Sequence, residues 1–394
     1  MSRSADPVAD LTTNTVFDAD AAELWTTTVQ FARQELAESA MRARDRSGEF
    51  WREGWRRCAA YGVQRLPVPA DHGGLALSML HTVVVLDALG YACDDAGLIF
   101  SINAHLWGSV VPLWLHGTPE QRRRYLGPLM AGELIGGHAM TEPSSGSDAF
   151  SLRTRARPQG QGFVLDGAKT FSTNAPIADI VVVFARIEGT EGPEGISAFI
   201  VERGTPGLTT GTPLDKMGLR TSPLGELALD GCVVGPEAVL GPVGGGAAVF
   251  NSSMLWERTC IVAPLVGAMQ RTLERCVSYA RTRRQFGKSI GRFESISAKV
   301  ADMKVAVDTS RSIVRRAAQV IDSGPGGLLE ASVSKLYVSE AAVGLHREAL
   351  QLHGGYGYMT DYEIERGLRD VLASTIYSGT SEMQRHIIGR LMGL

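Results

Sequence analysis

The sequence predicts an α+β fold in which two helical regions flank a central β-region, and two observations carry that reading. The first is a change of hydrophobic period along the chain. Apolar residues recur at three- and four-residue steps, give way to short β-branched and aromatic runs, and then return to helical steps. The second is grouping. The strand-like runs sit together rather than alternating with helices, so a doubly wound parallel sheet is disfavoured. At 394 residues the chain is also longer than one hydrophobic core usually organises, which agrees with several cooperating regions.

Residues 1–20 are polar and acidic and read as a flexible N-terminal tail without an apolar leader segment. Residues 21–137 form the first helical region. Trp25, Val29, Ala32 and Leu36, and later Met79, Val83 and Leu86, mark its apolar stripes. Pro67, Pro69, Gly73 and Gly74 break it between helices, and the arginine-rich stretches 42–46 and 122–124 read as solvated helix faces. Residues 138–246 form the β-region. Its runs 163–165, 180–184, 198–201 and 227–229 are separated by Gly, Pro and Asp, as expected of a mainly antiparallel sheet or barrel. Glycines 244–246 mark the seam to residues 247–394, a helical bundle. One stripe there runs Val262, Leu265, Val266, Met269, Leu273, Cys276, Ala280, and a second runs Ile296, Val300, Met303, Val307, Ile313. Residues 324–327 break the pattern before a third helix through Val338.

Composition removes several classes of function. The net charge of −3 lacks the basic surplus that a polyanion binder needs, so nucleic acid is not an expected partner. Five scattered cysteines without metal-ligand spacing suggest a reduced, cytoplasmic protein with no metal site. No run of ~20 apolar residues is evident, so no membrane span is expected. Two attractive strings fail on context. Gly287-Lys-Ser289-Ile-Gly291 matches a nucleophile-elbow pattern, but a helix precedes it where a strand is required. His353 before Gly354 and Gly355 lacks a hydrolase setting. The 45 glycines carry no collagen period and are expected at turns, close contacts and points of ligand approach.

Four segments concentrate chemistry. Residues 141–148, Thr-Glu-Pro-Ser-Ser-Gly-Ser-Asp, lie where helices give way to strands. Such a turn can aim several N–H and O–H donors at a planar heterocycle or a phosphate. Residues 169–174 follow with an aromatic and a hydroxyl, and residues 351–358 and 377–382 combine glycines with polar side chains near the C-terminus.

Together these segments resemble the acyl-CoA dehydrogenase family of flavoproteins. Residues 139–148 are similar to its first signature, Lys216-Met-Gly-Leu-Arg220-Thr-Ser222 to its mid-β loop, and Arg283-Arg284-Gln285-Phe286-Gly287 to its R-x-x-F-G helix end. Residues 351–358, with Arg366-Gly-Leu-Arg369-Asp370, are similar to its second signature. The match covers roughly residues 20–392 in the family's order. The resemblance implies an N-terminal helical domain, a central antiparallel β-domain and a C-terminal four-helix bundle. It also implies FAD as cofactor and a homotetramer or homodimer in which a neighbouring subunit helps bury it.

Carried over by position, Met140, Thr141, Gly146 and Ser147 would contact the flavin, with Ser147 also near the thioester. Phe171 would lie against one flavin face and Thr173 at its N5 edge, sensible roles for a flat ring and a hydroxyl donor. Arg283, Gln285 and Phe286 would reach a partner subunit's FAD, and Gln351, Gly354 and Gly355 would cradle the same dinucleotide. Thr380 and Glu382 would lie near its adenine end.

The implied reaction is α,β-dehydrogenation of an acyl thioester, on CoA or a carrier protein, with the β-hydride passing to flavin N5. It needs a carboxylate whose pKa burial has raised. Many relatives supply a glutamate at the position that here is Ser378. The isovaleryl and long-chain subset places it instead on the first bundle helix, and there this chain has Glu257. Helical phase alone puts Arg258 with the Val262 stripe and Glu257 on its flank, towards Arg271 and Arg275, although Pro264 interrupts the count. The backbone N–H of Ser378 would still polarise the thioester carbonyl, with no evident His or Lys partner for its side chain. Arg258, Tyr377 and Gly379 would line the substrate. An electron-transfer flavoprotein is the implied oxidant. A second reading keeps the fold for a flavin-dependent monooxygenase or N-hydroxylase, and a third is a scaffold with a degraded flavin site.

Overall fold

The computed structural model describes residues 19–37 and 40–394, so the N-terminal tail lies, through residue 18, outside the described residues. The first helix, Ala19–Glu35, buries Val29 and Ala32. The helix Met79–Ala92 is apolar nearly all round and is buried accordingly. It crosses the bundle helix Ala263–Thr282 at backbone distance. A Cβ on Gly90 would fall 2.0 Å from the Pro264 carbonyl oxygen, and one on Gly267 would fall 2.0 Å from that of Asp87. Glycine is required at both points because no side chain fits between the two backbones. A buried bidentate ion pair, Arg311 to Asp87 at 2.7 and 3.1 Å, fastens the same junction.

One expectation needs correction here. The continuous helix Ala96–His116 is long and apolar enough to cross a membrane, with a mean hydropathy of 1.4. Ser, Asn, Gly and His interrupt its apolar residues, which hides the run from a simple count. Leu98, Ile102, Leu106, Trp107 and Val110 on this helix are fully buried, so its apolar surface is the protein's own core.

The β-region is a single eight-stranded sheet. Its strands are β1 (Gly136–Ala139), β2 (Arg155–Gln159), β3 (Gly162–Thr173), β4 (Ile180–Ile187), β5 (Ile196–Glu202), β6 (Leu208–Thr210), β7 (Leu224–Val234) and β8 (Val239–Leu240). The order is β6-β7-β3-β2-β4-β5-β8, with β1 added on β4. The pairings are antiparallel except β1 and β2 on β4, which are parallel. Among the described residues β6 and β8 do not pair with each other, so the sheet is open and the barrel alternative falls away. One face packs Phe163, Leu165, Val181, Val183, Phe199 and Val201 into a core of its own. Truncating a fully buried ring such as Phe199 would cost about 3–5 kcal/mol.

Helices Ala263–Thr282, Glu294–Asp322, Leu328–His353 and Ser381–Leu391 make up most of the C-terminal helical region. The helix Gly246–Cys260 stops before Ile261, and the next begins at Ala263 with Pro264 in its first turn, where a missing N–H costs nothing. Phase counted from Val262 back to Glu257 therefore crosses a break. Residues 283–289 form a tight hairpin between helices that pairs Arg284 with Ser289 and Gln285 with Lys288.

Candidate active site

Glu257 lies in the last turn of the helix Gly246–Cys260, on a side facing neither Arg271 nor Arg275. Those arginines are engaged elsewhere. Arg271 donates to the carbonyls of Tyr91 and Cys93, and both pair with Asp94. Glu257 instead meets the turn before the last helix, where the Ser378 hydroxyl donates to its Oε1 at 2.5 Å. The serine side chain thus has a partner that the sequence did not reveal. Burial pushes the Glu257 carboxyl above the usual range, against the opposing pull of Ser378, Arg258 and Lys335. A half-buried, partly compensated carboxylate of this kind has the properties of a general base.

The turn itself is held through its carbonyls by three helices. Ser378 and Gly379 have φ of +56° and +90°, a left-handed conformation that is strained for serine and natural for glycine. Gln384 Nε2 donates to both carbonyls, at 3.1 Å to Ser378 and 3.0 Å to Gly379. Lys335 Nζ donates to the Gly379 oxygen at 2.7 Å, and Arg258 Nε reaches the Ser378 oxygen at 3.4 Å. Among the described residues, the amide N–H groups of Ser378 and Gly379 have no intramolecular acceptor, so both remain as donors. Thr380 then caps the helix Ser381–Leu391 by accepting from the Met383 amide at 3.2 Å, with Glu382 exposed in its first turn.

Tyr377 precedes this turn. Its ring packs on Phe100 with centroids 4.8 Å apart, and burial raises its phenol well above the ordinary value. Both rings line a cavity of about 70 Å³ together with Ile99, Ile261, Leu265 and the charged Arg271 and Asp94.

The loop at residues 141–148 rests on a buried ion pair. Lys169 Nζ meets Glu142 at 2.8 Å and the Met140 carbonyl at 3.2 Å. Glu142 also accepts from the amides of Arg153 and Thr154 at 2.5 and 2.8 Å. Lys169 and these amides hold the Glu142 carboxyl below the usual range despite its burial, while burial lowers the Lys169 amine to about 8. Both groups remain charged at neutral pH. Glu142 and Ser145 exchange backbone hydrogen bonds, which closes the turn and leaves Gly146 and Ser147 exposed. A Cβ on Gly146 would meet nothing within the chain. Beside this loop β3 shifts register against β7 between Lys169 and Ser172. The bulge sets Phe171 at φ +52° with 65% of it exposed, and Thr173 follows two residues later. An exposed phenyl on strained backbone, next to a rim of hydroxyls and amides, fits a flat heterocycle such as a flavin. Phe250, two turns before Glu257, packs on Phe150 and His138 and so ties the base helix to this β-region.

Arg283, Gln285, Phe286, Gln351, Gly354 and Gly355 form a second group. The Arg283 guanidinium lies 5.5 Å from the Tyr356 ring centre, and Tyr279 stacks on His353, so the hairpin adjoins residues 351–358. Phe286 is 92% exposed at φ +49°. Among the described residues, no hydrogen bond, ion pair or ring contact joins this group to Glu257 or Ser378.

Sequence reasoning missed Lys335, Gln384, Glu142 and Lys169. Lys335 did leave a signal, being the only charge in the run Ala331-Ser-Val-Ser-Lys335-Leu-Tyr-Val338. Glu142 and Lys169 are joined only by the fold.

The helical, sheet and bundle regions with this site define a flavin-type oxidoreductase, and comparison with known proteins agrees. The acyl-CoA dehydrogenase N-terminal, middle and C-terminal domain models match residues 18–133, 137–232 and 244–393. The chain belongs to the acyl-CoA dehydrogenase family. It is 42% identical over 351 residues to the L-prolyl-[peptidyl-carrier protein] dehydrogenase of Pseudomonas fluorescens, covering 89% of this chain and 92% of that relative. Among solved structures it resembles the prolyl acyl carrier protein oxidase AnaB, at 42% identity and a TM-score of 0.94, covering 96% and 100% of the two chains. PigA with FAD and proline is 36% identical with a TM-score of 0.94, covering 97% and 99%.

Proposed function

We propose that this protein is an FAD-dependent dehydrogenase of a small amino-acyl thioester, a prolyl group carried on a carrier protein, with Glu257 as the base that removes the α-proton. The observation that carries the reading is the half-buried Glu257 carboxylate beside a turn with two uncommitted amide donors. The prolyl-specific relatives supply the substrate class. Bound FAD supplies the acceptor for the β-hydride. Phe171, Met140, Thr141, Gly146, Ser147 and Thr173 would hold its ring system in this subunit. The exposed group from Arg283 to Gly355 would serve a partner's cofactor.

In this reading the thioester carbonyl accepts from the amides of Ser378 and Gly379, which stabilise negative charge as it develops there. That interaction acidifies the α-proton, and Glu257 takes it. Tyr377 and Phe100 close the space around the acyl group, and Arg258 holds the turn from behind. The relatives favour dehydrogenation over oxygen insertion. An electron-transfer flavoprotein as oxidant, a cytoplasmic setting and a homotetramer or homodimer belong to the same reading. The strongly exposed Phe286, Tyr358 and Ile376 support assembly.

Anaerobic mixing with a panel of thioesters tests the proposal. Prolyl-carrier protein should bleach the flavin faster than prolyl-CoA, isovaleryl-CoA or straight-chain acyl-CoA. Faster bleaching by a straight-chain acyl-CoA would remove the amino-acyl assignment.

A further inference from the structure

Lys335 stands out among the groups the reaction does not require. It is fully buried in the first third of the helix Leu328–His353. A buried ammonium is costly unless hydrogen bonds and opposite charge compensate it, and a methionine would fill the same slot without that cost. Its surroundings give it one strong acceptor, the Gly379 carbonyl at 2.7 Å, with the Tyr377 ring centre 5.8 Å away. Charged groups on three elements act on it. The helix Gly246–Cys260 contributes Glu257 and Arg258, its own helix Glu340, and the last helix Glu382. The ammonium thus grips the turn that carries Ser378 and acts electrostatically on Glu257.

We infer that Lys335 is a positioning residue for the proton-abstracting carboxylate: it fixes the Ser378–Gly379 turn through the Gly379 carbonyl and so holds the Ser378 hydroxyl on Glu257. The inference rests on Glu257 being the base. Two geometric facts support it. Ser378 sits at a positive φ that serine does not favour, so the turn must be held by its surroundings. Lys335 supplies part of that hold from the helix Leu328–His353, on the Gly379 carbonyl that Gln384 also reaches from the last helix. What Lys335 adds is charge, since a nearby cation favours the ionised form of Glu257 against its burial. Burial lowers the Lys335 amine itself to about 8, so it is charged across neutral and acidic pH.

The test is the pH profile of anaerobic flavin bleaching in Lys335→Met and Lys335→Arg holoenzymes, using whichever acyl thioester bleaches the wild type. Lys335→Met should keep FAD stoichiometry and bleach at least tenfold more slowly at neutral pH. Its acid limb should move up by about one pH unit, because the carboxylate has lost a nearby cation. The half-saturating thioester concentration should stay within threefold. Lys335→Arg should return the limb most of the way. An unmoved limb and a rate within twofold of wild type in Lys335→Met would overturn the inference. Should Lys335→Met lose FAD, Lys335→Gln, which keeps a donor without charge, is read in the same way. Loss of FAD in that variant too would make the residue structural and also overturn the inference. Glu257→Gln run alongside separates the two readings. Wild-type bleaching in that variant removes the base assignment, whatever Lys335 does.

Discussion

The hydroxyl of Ser378 donates to Glu257 at 2.5 Å across 121 positions of sequence, and it does so from a residue at φ +56°. The hydroxyl at the position where the family resemblance implied a glutamate is therefore coupled to Glu257. The serine at 378 supplies a donor that stabilises the ionised form of the glutamate at 257.

Ser378→Ala removes that donor and keeps the strained backbone, while Ser378→Gly removes both the donor and the strain. A hydrogen bond to a charged group is worth roughly 1.5–3 kcal/mol. Both variants should therefore raise the Glu257 pKa and move the acid limb of the bleaching profile upward. Ser378→Gly should in addition unfold at a higher temperature than Ser378→Ala, by the relief of about 1 kcal/mol of backbone strain. Bleaching profiles and thermal melts of the two holoenzymes check both parts.

The pair beneath the 141–148 loop gives a second prediction. Removing one partner of a buried ion pair leaves the other uncompensated, at a cost of about 3–5 kcal/mol, whereas removing both is far milder. Lys169→Met should lower both thermal stability and FAD retention, because Glu142 also anchors the Arg153 and Thr154 amides. The double variant Glu142→Gln, Lys169→Met should recover most of the stability. Calorimetry and the ratio of flavin to protein absorbance report the two effects.

Acid should weaken the fold through three histidines packed into the interior or at its edge. Burial lowers His105 to about 3, and His138 and His346 to about 4, against an ordinary value of 6.5. Between about pH 6.5 and pH 4 the unfolded chain binds protons at these sites that the folded chain does not. Stability then rises with pH across that window and falls as pH drops through it. Each histidine contributes roughly 1 kcal/mol per pH unit there. Denaturant midpoints from pH 7 to pH 4.5 should fall steeply, and His346→Gln should flatten the slope.

What could be read from the sequence follows the range of the forces involved. Helical and strand regions were legible because hydrophobic period is local, as in the Val262 to Ala280 stripe. The sheet's parallel pairings of β1 and β2 on β4 were not, since nothing local specifies them. Glu257 was found through family resemblance, because the break at Ile261 defeats phase counting from the stripe. Its partner Ser378, the Gly379 clamp by Lys335 and the Glu142–Lys169 pair all depend on segments that only folding brings together. The buried helix Ala96–His116 went unnoticed as an apolar run because its core-facing side carries small and polar residues between the large ones.

The central claim is that Glu257 takes the α-proton, and Glu257→Gln tests it most directly. The amide keeps the size of the carboxyl and can still accept from Ser378, so the variant should fold and hold FAD. Anaerobic flavin bleaching by prolyl-carrier thioester should fall by about 10²–10⁴-fold, the usual weight of a general base. A bleaching rate equal to that of the wild type, in a variant with full FAD, would contradict the claim.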